Sequence, residues 1–203
     1  MIGAESSRTR LLGAVLAGGA SRRLGRDKAA ETVGRRRLID HAVRALSGVC
    51  AEVVVVSSRA ATPTGDWRVV PDRRAGAGPL AGIETALAEA ERSGHEAAFV
   101  LACDLPFVDE AVVAFIARAL DQAPAVAPVA SERHGEPGFE PLCAVYRTAC
   151  LPTATALLDR GERSARALLA AVGGERIGVD RAVFLNVNTE EDLARARDRA
   201  VQS

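Results

Sequence analysis

Residues 11–30 read LLGAVLAGGASRRLGRDKAA, and the fold of the chain turns on them. Residues 11–17 form an apolar run too short for a spanning helix but of the right length for a buried parallel strand. The run breaks at Gly18 and Gly19, where main-chain N–H groups unshielded by a Cβ can approach an anion closely. Ser21, Arg22, Arg23, Arg26 and Lys28 add a hydroxyl and cationic donors within the same loop. The pattern predicts a strand feeding a phosphate-binding loop. It is neither of the two commoner loops, because it lacks Gly-Lys followed by Ser or Thr and lacks GxGxxG.

Lys28 is the only lysine among 26 Lys plus Arg residues. Arginine-biased composition could leave one lysine by chance. Against that, a compact ammonium with three donors differs from a planar guanidinium where phosphates crowd together. Lys28 is therefore read as a functional residue.

With 203 residues, 48% of them hydrophobic, and a formal net charge of zero, the chain suits one globular domain over residues 11–203 after a polar tail at residues 1–10. Balanced charge argues against nucleic acid or an anionic membrane as main partner, while allowing a basic funnel at the Arg22 to Lys28 loop. Arg8 and Arg10 before LLGAVLAGGA imitate a secretory signal, but cleavage after Ala20 would remove the glycine pair. Cys50, Cys103, Cys143 and Cys150 show no CxxC pairing and read as reduced, buried thiols of a cytoplasmic protein. His41, His95 and His134 are scattered, and none is assigned a role.

Further along, residues 38–49 carry a helical apolar stripe, and EVVVVS at residues 52–57 reads as a strand buried on both faces. Residues 58–66 are a connection, with Trp67 opening a short strand at residues 67–71 as a packing residue. A helix follows from Pro79 to about residue 93, then a buried strand at residues 97–103 ending in Asp104. Residues 112–120 read as a helix and 125–130 as a strand. SERHGEPGFEPLCAVYR at residues 131–147 reads as a mobile loop before another strand. Helices are expected at residues 149–160 and 164–172, and a strand at residues 181–187. A last helix is capped by Thr189 with Glu190, Glu191 and Asp192 in its first turn. This alternation predicts an α/β fold, a single three-layer domain around a mostly parallel sheet.

Three stretches bear two readings each. Gly78, Pro79, Leu80, Ala81 and Gly82 are either a helix start or a bare backbone edge with room for a base or ribose. Asp104 is either a helix cap or a carboxylate at the carboxyl edge of the sheet, where open α/β sheets bind ligands, and Asp109 offers the better helix start. Asn186 and Asn188 belong either to a plain strand-to-helix turn or to a strand end that presents two amides on one face.

The order LAGGxSxRxGxDKA resembles the signature of the MobA family, the molybdenum cofactor guanylyltransferases, with Leu24 where that family usually has Met. CDLPFVD resembles the family's metal-binding motif, which implies Asp104 as a ligand of Mg2+. GPLAGI resembles the segment that lies along the nucleotide, and Asp72 corresponds to an acidic residue contacting it. EPLCAVY is similar to an acceptor-side PxPLxxxY element, with Cys143 replacing the usual aromatic. FLNVNTEEDL is similar to the closing motif, whose asparagines imply a molybdopterin-side role for Asn186 and Asn188.

The resemblance spans nearly all of the chain after residue 10 and implies a Rossmann-like nucleotidyltransferase. It would transfer GMP from GTP to the terminal phosphate of molybdenum-molybdopterin and release pyrophosphate. Lys28, Asp104 and Arg22 would be catalytic. Ser21 and Arg23 would join them on the triphosphate, and the main chain of Leu16, Ala17, Gly18 and Gly19 would cradle base and phosphates. Expected partners are GTP, molybdenum-molybdopterin and, transiently, molybdoenzymes or cofactor-insertion proteins, with no nucleic acid and no membrane. The alternatives are a cytidylyltransferase or a transferase with another phosphorylated acceptor, and a nucleotide-binding cofactor chaperone without turnover.

Overall fold

A computed structural model of the chain describes residues 11–17, 27–57, 65–133 and 136–201. Its centre is β1 (Leu11–Leu16), hydrogen-bonded in parallel to β4 (Glu52–Ser57) on one side and β6 (Ala97–Ala102) on the other. β5 (Arg68–Pro71) extends the β4 side in parallel. On the β6 side come β9 (Cys143–Arg147), β7 (Ala125–Arg133) and β10 (Glu175–Gly178), giving the order β10-β7-β9-β6-β1-β4-β5. β9 alone on this path runs against its neighbours, so the sheet is mostly parallel, as the pattern predicts. A small antiparallel pair, β2 (Thr32–Val33) and β3 (Arg36–Arg37), stands apart from it.

Alternation of side chains across the pleat builds the layers. Val15, Val55, Phe99, Leu101 and Val145 face α1 (Leu38–Ser47) and α3 (Glu110–Arg118), meeting Ile39, Leu46, Val113 and Ile116. Leu12, Val54, Val100, Ala144 and Tyr146 face the opposite way. There they meet Leu80, Ile83 and Leu87 of α2 (Pro79–Arg92), Leu158 of α4 (Leu151–Asp159) and Leu168 of α5 (Ala165–Ala171). The inner strands are covered on both faces, which is why they read as continuous apolar runs. α6 (Glu190–Val201) packs Leu193 and Ala196 onto Val33, Leu38 and Val187 in a smaller cluster. All four cysteines are buried, and none forms a disulfide. No helix among the described residues is long and apolar enough to cross a membrane.

Two expectations need correction. The segment expected as a strand at residues 181–187 is a 3-10 turn at Arg181–Phe184, because the Asp180 carboxylate accepts the Ala182 N–H at 2.9 Å and turns the chain. The strand of that region lies earlier, at β10, paired with β7. The expected loop after residue 130 contains backbone pairing as well: β7 continues to Arg133 and meets β8 (Glu136–Phe139) antiparallel.

Strand order also locates a ligand crevice. From β1 the chain moves to β4 and β5 on one side, then crosses to β6 on the other, so the order reverses at β1. Carboxyl ends of parallel strands on either side of such a switch diverge and leave a cleft. The loops after β1 and β6 carry Lys28 and Asp104.

Candidate active site

Lys28 opens a 3-10 turn at Lys28–Ala30, whose N-cap Asp27 accepts the Ala29 N–H at 3.1 Å. This turn aims the lysine across the mouth of the β1–β6 cleft. Its Nζ donates to Asp104 Oδ2 at 2.7 Å and to Asn188 Oδ1 at 2.7 Å. Asn188 Nδ2 in turn donates to Asn186 Oδ1 at 2.7 Å. Three separate motifs of the sequence thus meet in one chain of contacts, Asp104–Lys28–Asn188–Asn186. Lys28 and Asp104 keep 17% and 16% of their side chains exposed, so their ion pair is screened less than a surface pair and stays within reach of a ligand.

Asp104 is not a helix cap. Asp109 caps α3, accepting the Val112 N–H at 3.0 Å. The Asp104 main-chain carbonyl accepts the Val187 N–H at 2.9 Å, which ties the closing motif to the end of β6. Its Oδ1 is buried and has no hydrogen-bond partner among the described residues. A buried carboxylate oxygen without a donor is costly unless something else satisfies it, and a hard divalent cation is a fitting guest. No group of three or more His, Cys, Asp or Glu side chains is placed to hold a metal among the described residues. One protein carboxylate suits Mg2+, which keeps waters and binds substrate phosphates rather than a full protein cage. The neighbouring Cys103 thiol is pushed up to about 12, chiefly by burial, and is thereby kept from thiolate chemistry.

The other expected residues divide. Gly18, Gly19, Ser21, Arg22 and Arg23 lie outside the described residues. The Ala17 N–H already donates to the Val56 carbonyl at 3.0 Å, and the Leu16 carbonyl accepts from Cys103 N–H at 3.3 Å, so both groups serve the sheet edge. The GPLAGI edge is less bare than its composition implies. Leu80 and Ala81 are fully buried in the core, and a Cβ on Gly82 would stand 3.0 Å from Leu16 Cδ1, so Leu16 takes the space that Gly82 leaves. Gly78 and Pro79 are exposed. The Leu80 N–H at the start of α2 donates to the Arg163 carbonyl at 3.2 Å. Asp72, at the end of β5, uses Oδ1 to accept the Arg74 N–H at 3.0 Å and stands 3.5 Å from Thr85 Oγ1. That carboxylate therefore organises its own turn.

Asn186 and Asn188 meet although they do not share a strand. The residue missed by sequence reasoning is Asp192, whose Oδ2 accepts the N–H groups of Asn188 and Thr189, each at 3.0 Å. The Asp192 N–H donates back to Thr189 Oγ1 at 3.1 Å. Burial works against this carboxylate, yet the Asn188 N–H, the Thr189 hydroxyl and N–H, and Arg195 hold its pKa below the ordinary range. The signal for it was the T-x-x-D spacing of a capping box, read only as a helix start.

A crevice at the strand switch, a lysine–carboxylate pair across it and an orphan carboxylate oxygen are features of a nucleotide site, and comparison with known proteins decides the family. The family model of the MobA-like NTP transferase domain matches residues 13–177. The chain belongs to the MobA-like NTP transferases. It is similar to a probable molybdenum cofactor guanylyltransferase of Opitutus terrae, 42% identical over 168 residues, covering 82% of this chain and 81% of the relative. It is also similar to a molybdenum cofactor guanylyltransferase of Desulfosudis oleivorans, 34% identical over 196 residues and covering 91% and 93% of the two chains. The crystal structure of molybdopterin-guanine dinucleotide biosynthesis protein A from Archaeoglobus fulgidus shares the fold, with a TM-score of 0.78 at 24% identity, covering 95% of this chain and all of that one. As a MobA-like NTP transferase, this chain is a nucleotidyltransferase.

Proposed function

We propose that this MobA-like transferase moves GMP from GTP to the terminal phosphate of molybdenum-molybdopterin, forming molybdopterin guanine dinucleotide and pyrophosphate. The observation that carries the reading is Lys28 bridging Asp104 and Asn188 at 2.7 Å each, in a chain whose relatives are named as molybdenum cofactor guanylyltransferases.

The acceptor phosphate is already nucleophilic and needs no base. The work of the protein is to bring two anions into line and to offset their repulsion as pyrophosphate leaves. Lys28 lies where its ammonium can exchange a contact with Asp104 or Asn188 for a phosphate oxygen, and Arg22 and Arg23 would neutralise the rest of the triphosphate. Asp104 would hold Mg2+ through Oδ1, and that ion would neutralise charge on the phosphate oxygens when bound. Gly78 and Pro79 would border the nucleoside, with Ser21 and the main chain of Gly18 and Gly19 on the phosphates. Asp72 would contact the nucleotide from its turn. The buried thiols, outside any disulfide, support a reducing, cytoplasmic setting, and the finished cofactor would pass to a molybdoenzyme or insertion protein by transient contact.

The test is pyrophosphate release with each of the four nucleoside triphosphates, molybdopterin and Mg2+. Turnover with GTP is expected. Turnover with CTP alone overturns the guanine assignment, and tight GTP binding without product turns the reading to a cofactor chaperone.

A further inference from the structure

Lysine carries donors only, so the Asn188 atom facing Lys28 Nζ at 2.7 Å has to be its carbonyl oxygen. The amide nitrogen is then left to donate, and it finds Asn186 Oδ1 at 2.7 Å. The orientation of the Asn188 side chain is thus fixed by chemistry at both ends. What holds the residue that carries it is a separate matter, since residues 185–188 lie outside the strands. Two main-chain ties do so: Val187 N–H to the Asp104 carbonyl, and Asn188 N–H to Asp192 Oδ2.

Asp192 also takes the Thr189 N–H on the same oxygen, and its own N–H returns to Thr189 Oγ1, while Arg195 binds its Oδ1. That is more than a helix needs in order to start. An ordinary capping box joins the cap residue and the third helical residue, whereas here the carboxylate reaches one residue further back, to Asn188. The second acceptance clamps the residue that touches Lys28.

We infer that Asp192 is a positioning residue: its carboxylate fixes the main chain of Asn188 so that the Asn188 amide seats the Lys28 ammonium beside Asp104. Asp192 acts only through Asn188. As it bears on catalysis, this inference rests on the transferase reading above; as it bears on the lysine, it does not.

The chain's single lysine gives a direct readout. Protein grown with lysine carrying 13C at Cε shows one Cε resonance, that of Lys28, in the full chain without any substrate. In Asp192→Ala this resonance shifts toward that of free lysine and its relaxation shows a more mobile side chain. Arg195→Ala, which leaves both N–H contacts intact, keeps the wild-type signal. Asp192→Asn retains a carbonyl oxygen for the two N–H groups and recovers most of the wild-type position. Should Asp192→Ala lose its helical circular dichroism, Thr189→Ala, which removes one arm of the clamp, carries the test with a smaller shift in the same direction. An unmoved lysine signal in the folded variants, or an equal shift in Arg195→Ala, overturns the inference. In turnover assays Asp192→Ala lowers kcat roughly tenfold or more with GTP binding nearly unchanged, as expected for a misplaced catalytic group. Failure of wild type to use GTP would sink the transferase reading and leave the resonance test standing.

Discussion

The Nζ atom of Lys28 lies 2.7 Å from Oδ2 of Asp104, across 76 residues of sequence. One carboxylate oxygen is thereby taken by the lysine while Oδ1 stays buried and without a donor among the described residues. The two oxygens differ in their surroundings, and on the proposed reading Oδ2 would seat the ammonium while Oδ1 would take the metal.

Asp104→Asn keeps the shape and removes the charge. The variant is expected to fold, since the main-chain carbonyl that accepts the Val187 N–H is untouched. It should lose Mg2+-dependent turnover by roughly 10²-fold, the scale of one lost electrostatic contribution at a reacting centre. Turnover measured against Mg2+ concentration, beside thermal melts, checks this. Wild-type activity at limiting Mg2+ would show that Asp104 is not the ligand.

Gly78 is expected to resist substitution for a packing reason and a backbone reason together. It holds φ at 82° and ψ at −173°, a region nearly confined to glycine, and a Cβ there would stand 3.0 Å from Arg163 Cβ and 3.2 Å from the Arg163 carbonyl oxygen. That carbonyl accepts the Leu80 N–H, so a shift would also loosen the start of α2. Gly78→Ala should destabilise by about 2 kcal/mol in urea denaturation. Gly76, with φ 81° but nothing within 4 Å of its Cβ among the described residues, is the control. Equal costs at the two positions would mean that the Arg163 contact adds nothing.

Acid should weaken the fold through Glu89. Its carboxylate lies 2.5 Å from Arg92 Nη2 and 2.5 Å from Arg68 Nη2. Hydrogen bonding from Arg92 first, then from Arg68, holds its pKa down to about 2 against the cost of burial, compared with an ordinary 4.5. A depressed pKa means that the folded state binds the proton less readily than the unfolded state. The stabilisation is complete above the ordinary value and is lost as pH falls from about 4.5 to about 2. Urea denaturation at a series of pH values across that window should show a shallower pH dependence for Glu89→Gln than for wild type. Matching slopes would remove Glu89 from the acid response.

The central strands were legible because burial on both faces leaves no polar alternation in β1, β4 and β6. β10 was not, because ERIG is a mostly exposed edge whose strand character comes from pairing with β7 rather than from its own composition. FLNV looks strand-like, yet the Asp180 cap sends the preceding residues into a turn. Lys28 and Asp104 each stood out locally, one by its rarity and one by its place after an apolar run. Their meeting with Asn188 did not, because separations of 76 and 160 residues leave no trace in a local pattern. At GPLAGI the composition does not show which neighbour uses the space of a small residue, and at Gly82 that neighbour is Leu16.

Lys28→Arg retains the charge and should still be a poor enzyme. The ammonium satisfies Asp104 Oδ2 and Asn188 Oδ1 at 2.7 Å each, in a space that leaves the lysine 17% exposed. A guanidinium on a comparable stem is wider, and its donors lie in a fixed plane, so it cannot place one point charge between two acceptors and then turn it to a phosphate oxygen. If Lys28 stabilises charge that builds on the departing pyrophosphate, its loss appears in kcat more than in GTP binding. Lys28→Arg and Lys28→Ala are both expected to lose roughly 10²-fold in kcat, with equilibrium GTP binding changed far less. Steady-state pyrophosphate release and equilibrium binding, with melts to confirm folding, make the comparison. Near-wild-type turnover in Lys28→Arg would reduce the claim to positive charge alone, and the chain's single lysine would then be an accident of an arginine-rich composition.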